Sequence, residues 1–187
     1  MKSRIIVGAL LAAGVMTVGA CAGTTDGTPT TAEATTQQQQ QGSSDIEIFN
    51  PCDGLSDSAL SSAGLDPSTE RVTTDAPSGP ATWRVCSWKP AEPDPTYRVI
   101  VFSTSHTLDE ARKNEDLTGF ESVTVAGRTG FTSFDKSDTA RTRCYVNLPA
   151  EQGMVEVAAS WLETGTKPDV CGLAVQYATA LEPHLPE

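Results

Sequence analysis

Hydrophobic and polar positions divide the chain into three stretches. Residues 5–20 form an uncharged, largely apolar run, residues 22–44 contain no Leu, Ile, Val or aromatic side chain, and residues 45–187 mix apolar and polar positions periodically. The sixteen residues of the apolar run reach only about 24 Å as a helix, short of the roughly 30 Å hydrocarbon core of a bilayer. The pattern therefore predicts an export signal, a disordered tether and one folded domain.

Two-residue periodicity within the folded domain predicts β-strands. In the segment that ends near residue 162, Val155 and Val157 fall on one face and Glu156 falls on the other, so one face is expected to be buried. The expected strands cover residues 83–88, 97–104, 143–148 and 154–162, with two more within 122–132.

Capping residues and helical spacing predict three helices. Ser56 can cap a helix that runs to Ala63, and Thr107 with Glu110 forms a capping box for a short middle helix. Apolar residues at helical spacing between prolines predict a last helix within residues 168–182. The expected fold class is α+β, an antiparallel sheet of five or six strands with an N-terminal, a short middle and a C-terminal helix.

A cysteine ends the apolar run of the export signal. Lys2 and Arg4 precede the run, and Val18-Gly19-Ala20-Cys21 resembles the lipobox of bacterial lipoproteins, in which a peptidase cuts before a lipid-modified cysteine. The alternative is an ordinary signal peptide with a cysteine nearby. The resemblance implies that Cys21 is lipidated and anchors the protein at the outer face of the plasma membrane. The expected organisation is a signal peptide at 1–20, a tether at 21–44 and an α+β extracytoplasmic domain at 45–187.

Four cysteines remain once Cys21 is assigned to lipid. An even number in an exported domain predicts disulfides, and four cysteines allow three pairings. Cys52 and Cys86 lie in the first helical segment and the first strong strand, and Cys144 and Cys171 lie in a late strand and the last helix. We therefore expect the pairs Cys52–Cys86 and Cys144–Cys171. A metal site is not expected, because the chain has no C-x-x-C pair and only two histidines.

The charge balance restricts the possible partners. The chain carries 13 Lys and Arg against 24 Asp and Glu, a formal net charge of −11. Such a surface repels phosphate groups, so no nucleic-acid partner is expected. The expected partners are the membrane, through the lipid anchor, and an envelope protein or glycan.

A search for catalytic motifs finds none of the common nucleophile elbows, zinc motifs or phosphate-binding loops. His106 precedes a helix cap and His184 lies between two prolines near the end, so both are expected to face solvent. The acidic side chains are dispersed, although a pair of carboxylates brought together by the fold stays possible. No catalytic residue and no cofactor are therefore expected.

Scarce residue types mark one candidate binding surface. Four basic residues lie within sixteen positions, and they either offset local acids or form a patch that binds an anion or a partner. Trp83 and Trp88 are five residues apart and face opposite sides of a strand, so only one is expected in the core. Because Trp88 shares its side with Cys86, Trp83 is the exposed candidate. The candidate patch consists of Arg128, Lys136, Arg141, Arg143 and Trp83.

Short motifs in a fixed order carry a family likeness across about residues 48–186. Together they resemble the actinobacterial lipoproteins of the domain of unknown function 3558 family. The resemblance implies an exported, lipid-anchored envelope protein and supplies no activity. The motifs are Asn50-Pro51-Cys52, Cys86-Ser87-Trp88, Val125-Ala126-Gly127-Arg128, Cys144 before a hairpin, and Cys171 opening a helix that ends Leu181-Glu182-Pro183-His184-Leu185-Pro186.

These observations favour a noncatalytic binding or interaction module displayed on the envelope. The alternatives are an envelope hydrolase that uses carboxylates and a carrier of a small hydrophobic ligand. The hydrolase requires a concave site with two converging acids of perturbed pKa, and the carrier requires a large apolar cavity.

Overall fold

The computed structural model describes residues 47–74 and 82–187. The expected signal peptide, the lipidated Cys21 and the tether lie outside the described residues. Within the described ranges, no helix has the length and apolar character needed to cross a membrane.

The described residues form one antiparallel sheet of seven strands. The strands are β1 (Leu65–Thr74), β2 (Trp83–Pro90), β3 (Tyr97–Thr104), β4 (Leu117–Val125), β5 (Arg128–Asp135), β6 (Arg143–Ala150) and β7 (Gly153–Trp161). Their order across the sheet is β1-β2-β3-β7-β6-β5-β4, so β7 is central and β1 and β4 are the edges. The α+β class and the antiparallel sheet are confirmed. The expected count of five or six strands is wrong, because β1 is an additional strand.

The additional strand β1 depends on a contact from a distant part of the chain. It contains Pro67 and is mostly polar, so its sequence lacks the period-two pattern of a strand. The Arg98 guanidinium on β3 is 8% exposed and donates to Thr69 O at 2.8 Å and to Ser87 O and Oγ at 2.7 and 3.1 Å. Arg98 therefore joins β1 to β2 and β3 through hydrogen bonds that alternation in the sequence does not reveal.

In the described part of the chain, four α-helices flank the sheet. They are α1 (Pro51–Gly54), α2 (Asp57–Ser62), α3 (Leu108–Lys113) and α4 (Val170–Leu181). The helix that Ser56 is expected to cap is α2, which begins at Asp57 and has Ala63 as its C-cap. Helix α1 is an additional short helix, separated from α2 by the extended Leu55. The last helix begins two residues later than the proline that marks its start, because Asp169 caps it by accepting from Gly172 N. The capping box of Thr107 and Glu110 on α3 is confirmed.

The main core lies on one side of the sheet, which we call the helix-covered face. Helices α1, α2 and α4 pack there, with α4 lying across β6 and β7. Val155 and Val157 on β7 are fully buried on this side. Trp88 is also fully buried, as its position beside Cys86 predicts. Burial of this apolar surface is the main source of stability.

Two disulfides fasten helices to the sheet on the helix-covered face. Cys52–Cys86 joins α1 to β2, and Cys144–Cys171 joins β6 to α4. The pairing is the one that the sequence predicts. The bridges close segments with sequence separations of 34 and 27 residues, which reduces the entropy of the unfolded chain.

The opposite side of the sheet, the cavity face, carries the side chains of Phe102, Tyr145 and Glu156. The expectation that β7 buries only one face is wrong, since Glu156 and Ser160 are only 7% and 5% exposed. Helix α3 causes this burial in part, because it packs on a small apolar cluster at one end of the face. That cluster contains Ala111, Phe131 and Met154.

Candidate functional site

A cavity of about 940 Å³ lies on the cavity face beside α3. Side chains of β2, β3, β5, β6 and β7 form its floor, and α3 with the segment before it forms one wall. Strand alternation explains the lining, since every second residue of each strand faces this side. The cavity has the volume of a site for a small organic molecule.

Glu156 lies in the middle of the floor, on the central strand of the sheet. It pairs with Phe102 of β3 on one side and with Asn147 of β6 on the other. Within the described residues, the Glu156 carboxyl group makes no hydrogen bond or ion pair. Burial, followed by the charge of Asp135, raises the pKa of Glu156 to about 8. At neutral pH most of this side chain is therefore a protonated carboxylic acid.

Asp135 lies at the end of β5 and also lines the cavity. The Tyr145 hydroxyl donates a hydrogen bond to Asp135 Oδ2 at 2.7 Å, and Arg143 Nη1 donates to the Tyr145 oxygen at 3.3 Å. Burial raises the pKa of Tyr145 to about 12, so the phenol keeps its proton and stays a donor to Asp135. The hydrogen bonds from Arg143 to Tyr145 and from Tyr145 to Asp135 fix the position of the Asp135 carboxyl group.

Four rings form a continuous row along the cavity. The centroid of Trp83 lies 5.8 Å from that of His106 and 6.3 Å from that of Phe102, and Phe102 lies 5.7 Å from Tyr145. The Trp83 and Phe102 rings meet edge to face, a favourable arrangement for aromatic pairs. The row places flat π-surfaces beside the acidic floor.

The rim of the cavity is held by the capping box of α3. Glu110 Oε2 accepts a hydrogen bond from Thr107 N at 2.8 Å, and His106 Nδ1 lies 3.7 Å from the same oxygen. Hydrogen bonds from Thr107 lower the pKa of Glu110, which keeps its carboxylate ionised. His106 is half exposed, at 49% for its side chain, so it belongs to the entrance and not to the floor.

The described lining is acidic. It contains the carboxyl groups of Glu110, Asp135 and Glu156, one histidine, and neither lysine nor arginine. Among the described residues, no group of three or more His, Cys, Asp or Glu side chains is placed to hold a metal ion. The carboxyl groups of the lining can accept hydrogen bonds and can pair with a cation, and the rings can contact an apolar or aromatic surface.

A comparison with protein families identifies the group to which the chain belongs. A family model described as "Protein of unknown function (DUF3558)" matches residues 16–184. The chain belongs to the DUF3558 family. A search of curated proteins found no match, and a search of solved structures found none either. The description of the family names no activity.

In this DUF3558 protein, the five residues of the sequence-derived patch lie in three places. Arg128 begins β5, where it donates to the carbonyl of Pro149 and pairs with Glu182 at 3.8 Å. Lys136, Arg141 and Arg143 lie at the other end of β5 and the start of β6; the Arg141 guanidinium lies 4.7 Å from the centre of the Phe134 ring. Trp83 lines the cavity. The five side chains therefore do not form one patch. Trp83 lies in the cavity lining together with the carboxyl groups of Glu110, Asp135 and Glu156.

Sequence reasoning missed Glu156, Asp135 and Tyr145 as site residues of this DUF3558 protein. One available signal was the position of Glu156, a single charge in a strand whose same-face neighbours are Met154 and Ala158. An acid placed among small and apolar residues on one face of a central strand indicates either burial or a ligand.

Proposed function

We propose that this DUF3558 chain is a lipid-anchored protein of the cell envelope that binds a small organic molecule in the cavity. The binding is noncatalytic. The protein is held at the outer face of the plasma membrane by lipid on Cys21, and the domain presents its cavity outside the cytoplasm. The order of signal, lipobox-like sequence and polar segment in residues 1–44 supports the location. The cavity supports the binding role.

One observation carries the binding role. Glu156 is 7% exposed on the floor of a cavity of about 940 Å³, and its carboxyl group makes no hydrogen bond or ion pair with the described residues. A buried polar group that lacks a hydrogen bond costs free energy, and native proteins keep few of them. A ligand that satisfies the group offsets this cost, which gives the acid a role in binding.

The binding role is tested by blocking the cavity. The oxidised chain is screened by ligand-observed NMR against a mixed set of small cationic, neutral and anionic compounds. Val85→Trp adds bulk on the floor, and Leu117→Trp adds it from β4. Val72→Trp is the matched control, because Val72 is exposed on β1 and does not line the cavity.

We expect compounds that bind the unmodified chain and Val72→Trp and that lose binding in both blocked variants. Circular dichroism melting establishes that each variant is folded. The absence of any binder, or equal binding by a folded blocked variant, would contradict the proposal.

The membrane location has its own test. Mass spectrometry of the protein extracted from membranes should find diacylglycerol on Cys21 at a new N-terminus, and Cys21→Ser should leave the membrane fraction. An intact segment 1–20, or an unmodified Cys21 in the membrane fraction, contradicts the lipid anchor.

A second candidate function is hydrolysis with carboxylate groups. Burial raises the pKa of Glu156 to about 8, and a general acid must be protonated at neutral pH in this way. Asp135 is the second acid in the cavity. Turnover of fluorogenic glycosides or esters that disappears in both Glu156→Gln and Asp135→Asn would support hydrolysis, and no turnover by the unmodified chain would eliminate it.

A further inference from the structure

The acidic floor and the aromatic row suggest which ligand the cavity accepts. We infer that this ligand is an organic cation, an ammonium group attached to a flat aromatic body, with the ammonium on Glu156 and the body along the aromatic row. The inference rests on the proposed function, because it assigns a ligand class to the same cavity.

The first argument is charge. The described lining has three carboxyl groups and neither Lys nor Arg. Three arginines on this side of the sheet already have partners. Arg143 donates to Tyr145 and Ser160, and Arg98 donates to groups of β1 and β2. The Arg112 guanidinium lies 4.2 Å from the centre of the Phe131 ring. An anionic ligand would meet the carboxylates of the lining, whereas a cation would meet complementary charge.

The second argument is the set of hydrogen-bonding groups on the floor. Within the described residues, Glu156 has no partner, and Asn147 Oδ1 opposite it is buried and has none. The donors nearby are already used: Asn147 Nδ2 bonds Phe131 O and Ser133 Oγ, and the Tyr145 hydroxyl bonds Asp135. Of these two acceptors, the Glu156 carboxyl group lines the cavity, where an ammonium group with three N–H donors can satisfy it.

The third argument is the row of rings beside the acids. Trp83, Phe102 and Tyr145 succeed one another at centroid distances of 6.3 and 5.7 Å. A cation near an aromatic face is attracted by the negative face of the ring, and tryptophan is the strongest partner. The same rings give an aromatic body a surface on which to stack. The Glu156 carboxyl group therefore matches the ammonium end of such a ligand, and the row of rings matches its aromatic body.

A bare metal ion fits this site less well. The described residues contain no group of three or more possible ligands, and the cavity of about 940 Å³ is far larger than an ion. A purely apolar ligand fits poorly as well, because it would leave the Glu156 carboxyl group buried without a partner.

The inference is tested with three probes that share an indole body and differ in their end group. Tryptamine carries an ammonium, tryptophol a hydroxyl and indole-3-acetate a carboxylate. Calorimetric titrations run at about pH 8.5, where an aliphatic amine with a pKa of about 10.4 is still protonated. The proteins are the unmodified chain, Glu156→Gln, Asp135→Asn and the control Glu163→Gln, whose side chain is exposed beyond the end of β7.

We expect the unmodified chain and Glu163→Gln to bind tryptamine at least about tenfold more tightly than tryptophol, with indole-3-acetate weakest. In Glu156→Gln the preference for tryptamine should fall to within about threefold, because the amide carries no charge. Asp135→Asn, which keeps Glu156, should give an intermediate preference.

Equal or tighter binding of tryptophol or indole-3-acetate by the unmodified chain overturns the inference, and so does an unchanged preference in folded Glu156→Gln. The proposed function is judged separately by the mixed screen. If neutral or anionic compounds bind there and are displaced by Val85→Trp, the cavity is a binding site and the cation assignment is wrong. If nothing binds in either experiment, both proposals fall.

Discussion

Asn147 and Glu156 pair across the ladder between β6 and β7, and within the described residues both Asn147 Oδ1 and the Glu156 carboxyl group lack a hydrogen-bond partner. Cross-strand neighbours lie close enough to interact. Burial of the Glu156 carboxyl group favours its protonated form. Since the pKa of Glu156 is raised to about 8, the carboxyl group keeps this proton at neutral pH. A bound ammonium group would take the place of that proton.

The free energy of unfolding should depend on pH through Glu156. Its pKa is raised from 4.5 to about 8 on folding, so the folded state binds the proton more tightly than the unfolded state does. The stabilisation is complete below pH 4.5 and is lost as the pH rises to about 8, a change of about 5 kcal/mol. Urea denaturation between pH 5 and pH 9 measures this loss.

Glu156→Gln isolates this dependence. The amide cannot ionise and supplies a permanent donor, so the variant should be more stable than the unmodified chain at pH 9 and close to it near pH 5. The exposed Glu163→Gln should follow the unmodified chain across the range. Parallel stability curves for Glu156→Gln and the unmodified chain would refute the assigned pKa.

Binding of an organic cation should release a proton. Only ionised Glu156 forms the ion pair, so with a pKa of about 8 the affinity for tryptamine should rise about fourfold from pH 7.5 to 9. Tyr145 stays neutral in this range, because its pKa is raised to about 12. Calorimetry in two buffers of different ionisation enthalpy measures the released proton. The other titratable groups that the described residues place around the cavity include Asp135, Glu110, His106, Arg143, Arg98 and Arg112.

In Glu156→Gln both the proton release and the rise in affinity should disappear. If they persist in that variant, a different group titrates on binding, and the assignment to Glu156 is incorrect.

Arg98→Lys should loosen β1 without unfolding the rest of the sheet. The lysine ammonium cannot reproduce the three guanidinium hydrogen bonds to Thr69 and Ser87, and buried acceptors lose their donors at a cost of about 2 to 4 kcal/mol. Burial, followed by the charge of Arg71, lowers the pKa of Arg98, which shows how closely the guanidinium is surrounded.

Hydrogen exchange of the β1 amides measures this effect. Exchange should accelerate in β1 and stay slow in β6 and β7, whereas the control Arg71→Lys, at an exposed position, should leave the β1 amides protected. Uniform acceleration across the sheet would contradict a local role for Arg98.

Removal of either disulfide should lower the free energy of unfolding by roughly 3 to 4 kcal/mol, because the unfolded chain gains conformational entropy. The larger loss is expected for Cys52→Ala/Cys86→Ala, whose bridge spans 34 residues against 27 for Cys144–Cys171. Because both bridges lie on the helix-covered face, ligand binding should survive in each folded double variant. Urea denaturation and the ligand titration measure the two effects, and a loss below about 1 kcal/mol would refute the entropic argument.

The sequence predicted the elements that are stabilised by contacts between residues close together in the chain. Thr107 and Glu110 are three residues apart and form their capping box within one turn. The turn between β4 and β5 follows from Ala126 and Gly127, which both adopt positive φ, at 47° and 94°, as a two-residue hairpin turn requires. The cysteine pairs also followed from the expected elements, because each joins a helix to a strand.

The parts that the sequence did not predict depend on contacts between distant segments. Strand β1 is polar and contains Pro67, and it joins the sheet through Arg98, about thirty residues later. The burial of Glu156 requires α3, the aromatic row and Asp135 on β5 to come together above β7. Alternation in β7 indicates which residues share a face and does not indicate what covers that face.

Strand alternation also places residues with two different structural roles on the two faces of the same strand. On β7, Val155 and Val157 maintain the fold, while Met154 and Glu156 line the cavity. Substitutions at the second pair alter the lining of the cavity and leave the packing under α4 intact. The chemistry of the cavity can therefore be changed on β7 without a change in the core on the opposite face.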